Sequence, residues 1–394
     1  MDLPLIRSNP PRLSALGPQL EALEASGIFT NNGPRVRRFE AALVERLFAG
    51  EGACLTIANA AIGLMIAIRQ AIGPGKANGR FALMPSFASA ATAQAAIWSG
   101  LTPMLCDIDP GSWTADGAQE EVLLARHAGQ IAVLAPCATF GRSLDLDRYH
   151  WLSKRYEVPV IVDAAASLGT IDRQYRNFGT GSELVLIFSM HAANSFAIGE
   201  GGVIYSADAG RIAALRTMTN FGFDENRAAI MPGLNGAMSE VSAVMGLAKL
   251  AEFDRIADHR AALAARYRNR LPDYEMQDGD DFRQAMPVMS VLLPPATAPY
   301  RDQLIEAMAV SGIGVGKGAS PHLAEQPYFK AEASFESLPV SDEIAARMLC
   351  FPLSDAMTTA DVDRVCTRFR SLCAAIQHPV ERRMRPRPIR IAVN

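Results

Sequence analysis

Between Cys54 and Asp208 the chain alternates short apolar runs with longer stretches of helical character, and this alternation restricts its fold more tightly than any other feature. The runs are Ala53–Ala58, Phe81–Met84, Pro103–Asp107, Ile131–Ala135, Val158–Val162, Leu184–Phe188 and Gly202–Tyr205. Each is apolar at consecutive rather than alternate positions, the mark of a strand buried on both faces. Such strands separated by helices predict an α/β fold with a mostly parallel sheet covered on both sides. Ligands of such sheets sit beyond the carboxyl ends of the strands, which singles out Asp163 and the segment after Phe188.

A long helix is predicted from Met238 to Leu271, with Val241, Val244, Leu247, Leu250, Phe253 and Ile256 at helical spacing. After Pro272 the character changes. The segments Ala285–Leu293, Gln303–Val310 and Asp361–Ile376 predict a smaller α+β domain packed on the first. The expected organisation is an N-terminal segment over 1–29, a large α/β domain over 30–255, a small α+β domain over 256–378 and a basic tail over 379–394.

A chain of 394 residues with 49% hydrophobic and 20% charged residues can bury a large core. Its formal net charge of −3 offers no general attraction for nucleic acid or anionic lipid. The exception is the tail, where five arginines and two prolines lie between Arg382 and Arg390 with no acid among them, the composition of a solvated, flexible arm. Cys54, Cys106, Cys137, Cys350, Cys366 and Cys373 form no C-x-x-C pair and read as reduced core residues. The N-terminus lacks the basic start and apolar run of a signal peptide, and no apolar run is long enough for a membrane helix, so a cytoplasmic location is expected.

The segment Phe188-Ser-Met-His-Ala-Ala-Asn-Ser-Phe-Ala-Ile-Gly-Glu-Gly-Gly202 resembles the F-S-x-H-x-x-K-x-x-x-x-G-E-G-G motif of the DegT/DnrJ/EryC1/StrS family, the sugar aminotransferases. The likeness runs from about Ser26 to Ile376. It includes Ser26–Glu40, Pro85–Thr92, Gly100–Asp109, Asp163–Gly169, Gly233–Glu240 and Leu349–Leu353, in the family's order. It implies an aspartate-aminotransferase-like large domain, a homodimer with sites between subunits, and pyridoxal phosphate as cofactor. The family's lysine, which holds that cofactor covalently, is here Asn194. A carboxamide nitrogen has its lone pair in resonance, so it neither forms an imine nor carries a proton near neutral pH. Ordinary transamination through a lysine at this position is therefore not expected.

The resemblance assigns the remaining roles residue by residue. Asp163 would pair with the protonated ring nitrogen and keep the ring an electron sink. Phe87 would stack on the ring, Ser189 would hold the phosphate, and Asn235 would reach the cofactor of the neighbouring subunit. Ala60 and Ala61 stand where the family has a Gly-Thr pair at a helix N-terminus, so backbone donors remain and a hydroxyl is lost. Losing one hydrogen bond to a charged group weakens binding about tenfold to a hundredfold. Ala166, Ala193 and Ala237 likewise replace larger or polar residues, and changes this coordinated mark a diverged site rather than a single substitution.

Of the five lysines, Lys76, Lys154 and Lys249 are expected in a loop and on helices facing away from the strand ends. Lys317, in Gly312–Gly318, lies in a segment that approaches the site in the family, and is read as a loop lysine or a substitute for the missing one. His191 is either structural or a general base. Three functions stay open. The first is an enzyme binding pyridoxal or pyridoxamine phosphate noncovalently and acting on a keto or amino group of a small molecule, with nucleotide-linked sugars the class implied. The others are a cofactor-independent enzyme in the same cleft and a silent partner of a lysine-bearing homologue.

Overall fold

In the computed structural model, residues 2–73 and 79–377 are described; Lys76 and the arginine-rich tail lie outside them. The strands are β1 (Ala53–Ile57), β2 (Phe81–Pro85), β3 (Thr102–Cys106), β4 (Ile131–Leu134), β5 (Ile161–Asp163), β6 (Val185–Ser189), β7 (Gly202–Ser206), β8 (Met289–Leu292), β9 (Ser334–Phe335) and β10 (Met348–Phe351). The first seven match the seven apolar runs. They form two four-stranded arrays, β1-β7-β6-β5 and β4-β2-β3-β9. Parallel bridges Leu134↔Val160 and Cys137↔Asp163 join β4 to β5 and make one continuous sheet.

Both faces of this sheet are apolar, which explains the unbroken runs. In β1, Cys54 packs in one core while Leu55 and Ile57 pack in the other; in β6, Leu186 and Phe188 take the first and Val185 and Ile187 the second. The first core is closed by the helices Pro34–Leu47, Gly117–Arg126, Leu146–Tyr156 and Glu240–Arg270, the second by Ala60–Ala71, Ala90–Trp98 and Ala209–Met218. A strand whose side chains alternate between two dry layers has no polar position to reveal its period.

The sheet is parallel except at β7, which runs antiparallel to both β1 and β6. No helix lies between β6 and β7; the chain returns directly through residues 190–201, and without a crossover a neighbouring strand comes back reversed. That return loop carries His191 and Asn194.

The helix Glu240–Arg270 begins at Ser239, whose hydroxyl accepts the Ser242 N–H at 3.1 Å. It runs unbroken, giving Leu250, Phe253 and Ala257 to the first core and Leu263, Ala264 and Tyr267 to another built from residues 263–373 and Leu3. In that C-terminal part β8 and β10 pair antiparallel and the helices Arg301–Val310 and Thr359–Gln377 pack behind them. Lys249 is wholly buried on the same long helix. Its ammonium donates to the Asn9 carbonyl at 2.8 Å and lies 3.5 Å from Asp355, which also binds Arg260 at 2.9 Å and Asn9 Nδ2 at 2.6 Å. These contacts pin the N-terminal segment to the body of the fold.

Candidate functional site

The strand order brings separated parts of the sequence to one edge of the sheet. Asp163 ends β5 and Ser189 ends β6, and the two ends are tied by the Ser189 N–H donating to Ala165 O at 3.0 Å. Ser189 pairs with Gly202 of β7, and Gly202 pairs with Ile57 at the end of β1. Ala58 N–H donates to Gly236 O at 2.8 Å and Ile57 bridges Ala237, so the loop bearing Asn235 lies alongside. The helix Ala60–Ala71 starts here, capped by Asn59, whose carboxamide oxygen accepts the Ile62 N–H at 3.0 Å. Gly202 is required by this meeting: a Cβ there would stand 2.9 Å from Phe188 O and 3.1 Å from Ala60 N.

Asp163 is 1% exposed. Its Oδ1 accepts the Ala165 N–H at 3.0 Å, and its Oδ2 accepts the Thr92 hydroxyl and, at 3.8 Å, the Cys137 thiol. All three donors are neutral. Burial pushes the Asp163 pKa above the ordinary carboxylate value and the three donors act against it. A carboxylate held this deep among neutral groups is matched by a cationic N–H arriving with a ligand, and a protonated pyridine ring is such a group. The Ser189 hydroxyl accepts the His191 N–H at 3.2 Å, on the strand end whose partner Gly202 lies beside the first amide of the Ala60 helix, and a helix start of this kind can receive a phosphate. Asp163 and the Ala60 helix start therefore fit the ring and phosphate ends of pyridoxal phosphate, while the covalent link and one phosphate hydroxyl are missing.

At position 194 the side chain is partly buried and donates from Nδ2 to Ser189 O at 3.4 Å, while its N–H donates to His191 O at 2.9 Å. A cavity of about 10 Å³, room for about one water, separates Ala193 and Asn194 from Leu5, Ile6, Arg7 and Asn9. His191 stands at the exposed rim: its Nδ1 accepts the Ala193 N–H at 3.2 Å and its Nε2 lies 3.6 Å from Glu200. Phe87 is buried with its ring centroid 6.1 Å from that of His322. Asn235 is exposed. Lys317 forms an ion pair with Asp302 at 2.8 Å on the surface.

Three features escaped the sequence. Thr92 was visible only as the end of a helix-starting segment, and Cys137 only as one apolar-flanked cysteine among six; their convergence on Asp163 is a product of the sheet. The burial of Lys249 had no local signal, because its partners Asn9 and Asp355 lie far away in the chain.

Residues 16–370 match the model of the DegT/DnrJ/EryC1/StrS aminotransferase family. Protein Rv3402c of Mycobacterium tuberculosis is 30% identical over 370 residues, covering 92% of this chain and 88% of its own. The dTDP-4-amino-4,6-dideoxy-D-glucose transaminase of Escherichia coli is 27% identical over 357 residues, covering 89% and 93%. Among solved structures, a putative PLP-dependent aminotransferase from Bacillus cereus superimposes with a TM-score of 0.88 at 32% identity, covering 94% of this chain and all of that one. The order of the motifs and the sheet agree with these likenesses: the chain belongs to the DegT/DnrJ/EryC1/StrS aminotransferase family.

Proposed function

We propose that this chain is a lysine-less enzyme that holds pyridoxal or pyridoxamine phosphate noncovalently and acts on a keto or amino group of a small molecule, with nucleotide-linked sugars as the substrate class. The observation that carries the reading is Asp163, a buried carboxylate with only neutral donors, set beside a phosphate-type helix N-terminus and an asparagine in the lysine position. Bound there, the cofactor would supply an electron sink and, as pyridoxamine phosphate, an amino group. Asp163 would accept the ring N–H, Phe87 would cover a ring face, and Ser189 with the Ala60 and Ala61 amides would hold the phosphate. Asn194 would orient by hydrogen bonding alone, and His191 is the titratable side chain nearest to it in sequence for moving a proton.

A homodimer completes this reading. Phe221, Ile230 and Leu234 are exposed on the segment that ends at Asn235, and Ile28, Phe29 and Val241 are exposed on segments joined to it through the Glu240 N–H to Phe29 O bond. Exposed apolar residues gathered around one polar site residue favour burial against a second copy. No described helix is long and apolar enough to cross a membrane, and six buried free cysteines suit a reducing, cytoplasmic setting.

The test is calorimetric and absorbance titration of the purified chain with each cofactor form, with mass measured after borohydride reduction and denaturation. Saturable uptake that leaves the denatured mass unchanged, and that Asp163→Ala abolishes, is the expected result. Absence of uptake at high micromolar concentration would overturn it in favour of a cofactor-independent use of the cleft.

A further inference from the structure

The Oδ2 atom of Asp163 is bracketed by two side chains from different parts of the chain. Thr92 lies in the first turn of the helix Ala90–Trp98, which is capped by Ser89, and its hydroxyl donates to Oδ2. Cys137 follows β4 and is bridged in parallel to Asp163 itself; its thiol donates to the same oxygen at 3.8 Å. The start of the helix Ala90–Trp98 thus meets the carboxylate through Thr92, an orientation that favours negative charge at Asp163. A carboxylate offers about four lone-pair positions, and Ala165, Thr92 and Cys137 fill three.

We propose that Thr92 and Cys137 are positioning residues that lock the Asp163 carboxylate, leaving it one acceptor position for the cationic N–H of a ligand. This deepens the reading given above and rests on it for the identity of that ligand. The two donors divide the work by strength. The hydroxyl supplies most of the hold on the anionic form; the thiol, a weaker donor, fills the remaining space on Oδ2 without pinning the carboxylate so firmly that it no longer needs a cation. Both are neutral, so no internal ion pair competes with an arriving ring nitrogen. Among the described residues Cys137 is the one titratable group hydrogen-bonded to Asp163, and burial holds its thiol pKa well above the usual value, so it stays a neutral donor as Asp163 titrates.

The empty chain reads out this lock without any cofactor. Burial raises the folded-state pKa of Asp163, so its contribution to stability is intact below the unfolded carboxylate value of about 3.9 and is lost as pH rises through the folded value. The difference in urea-unfolding stability between native chain and Asp163→Asn, followed against pH, isolates that loss. Removing a hydrogen bond to the charged form moves a pKa by roughly one to two units. Thr92→Val should therefore shift the loss upward by about one to two pH units, Cys137→Val should shift it less, and Thr92→Ser should restore the native profile. In calorimetry, Thr92→Val should also bind pyridoxal phosphate about tenfold more weakly, with recovery in Thr92→Ser.

Profiles of Thr92→Val and Cys137→Val that coincide with the native one, while Asp163→Asn still differs, would overturn the proposal. Should Thr92→Val fail to fold, Thr92→Ala and Cys137→Val carry the same comparison. A native chain that takes up no pyridoxal phosphate would sink the functional reading alone, because the pH profiles of the empty chain decide the lock independently.

Discussion

At the scale of single residues, the site combines one loss with one retention. Asn194 keeps the loop shape, since its backbone N–H still donates to His191 O and its carboxamide spans to Ser189 O, yet it removes the only amine the motif supplies. Asp163 keeps a buried carboxyl group held by neutral donors, which in the proposed reading a cationic ring nitrogen would join. If the cleft is otherwise preserved, restoring the amine should restore the covalent link. An Asn194→Lys variant treated with pyridoxal phosphate and borohydride is expected to carry a reduced adduct on the peptide bearing residue 194, and the native chain none, read by mass spectrometry of the digest. Labelling of the native chain at Lys317 or Lys249 would show instead that another lysine serves the site. Neither is placed for it: Lys317 is paired with Asp302 and Lys249 is committed to Asn9 and Asp355.

At the scale of elements, much of this protein was legible in its sequence, and the gaps have physical causes. The seven apolar runs located seven of the eight strands of the large sheet because each is long enough and dry enough on both faces to stand out. Their direction was not legible at β7, since an apolar run carries no sign of polarity; only the missing helix between Phe188 and Gly202 announces the reversal. The long helix was clear from its spacing, while β9, with two residues, had no pattern to offer. Asp163 and Ser189 could be placed at strand ends, but Thr92 and Cys137 could be joined to them only by knowing which strands are neighbours. In the proposed reading the phosphate end of the site depends on one element, the helix starting at Ala60, whose first amide lies beside Gly202. An Ala61→Thr variant adds the hydroxyl that this helix start lacks. It should bind pyridoxal phosphate about tenfold to a hundredfold more tightly and leave the affinity for pyridoxal, which has no phosphate, unchanged. Equal gains for both ligands would mean that the helix start does not receive the phosphate.

At the scale of the whole molecule, the exposure of Asn235 decides how the site is completed. An asparagine on an open face, ringed by exposed Phe221, Ile230 and Leu234, serves little purpose in a lone chain, and a second copy would bury the ring and bring the carboxamide to the opposing cleft. The purified protein should then sediment at twice its chain mass of 42.4 kDa, and Ile230→Asp should shift it toward the monomer with a parallel loss of cofactor binding. A stricter test separates a shared site from two chains that merely adhere. Asp163→Asn and Asn235→Ala chains should each bind cofactor poorly alone. Mixed under conditions that exchange subunits, half of the dimers are hybrids. In a hybrid, the cleft that keeps Asp163 receives a native Asn235 from the other chain, while the second cleft has neither, so about a quarter of all sites should recover. If Asn235 served the cleft of its own chain, every cleft in the hybrid would lack one of the two residues and mixing would restore nothing. Recovery in the mixture therefore requires both the dimer and the crossing of Asn235 between its subunits.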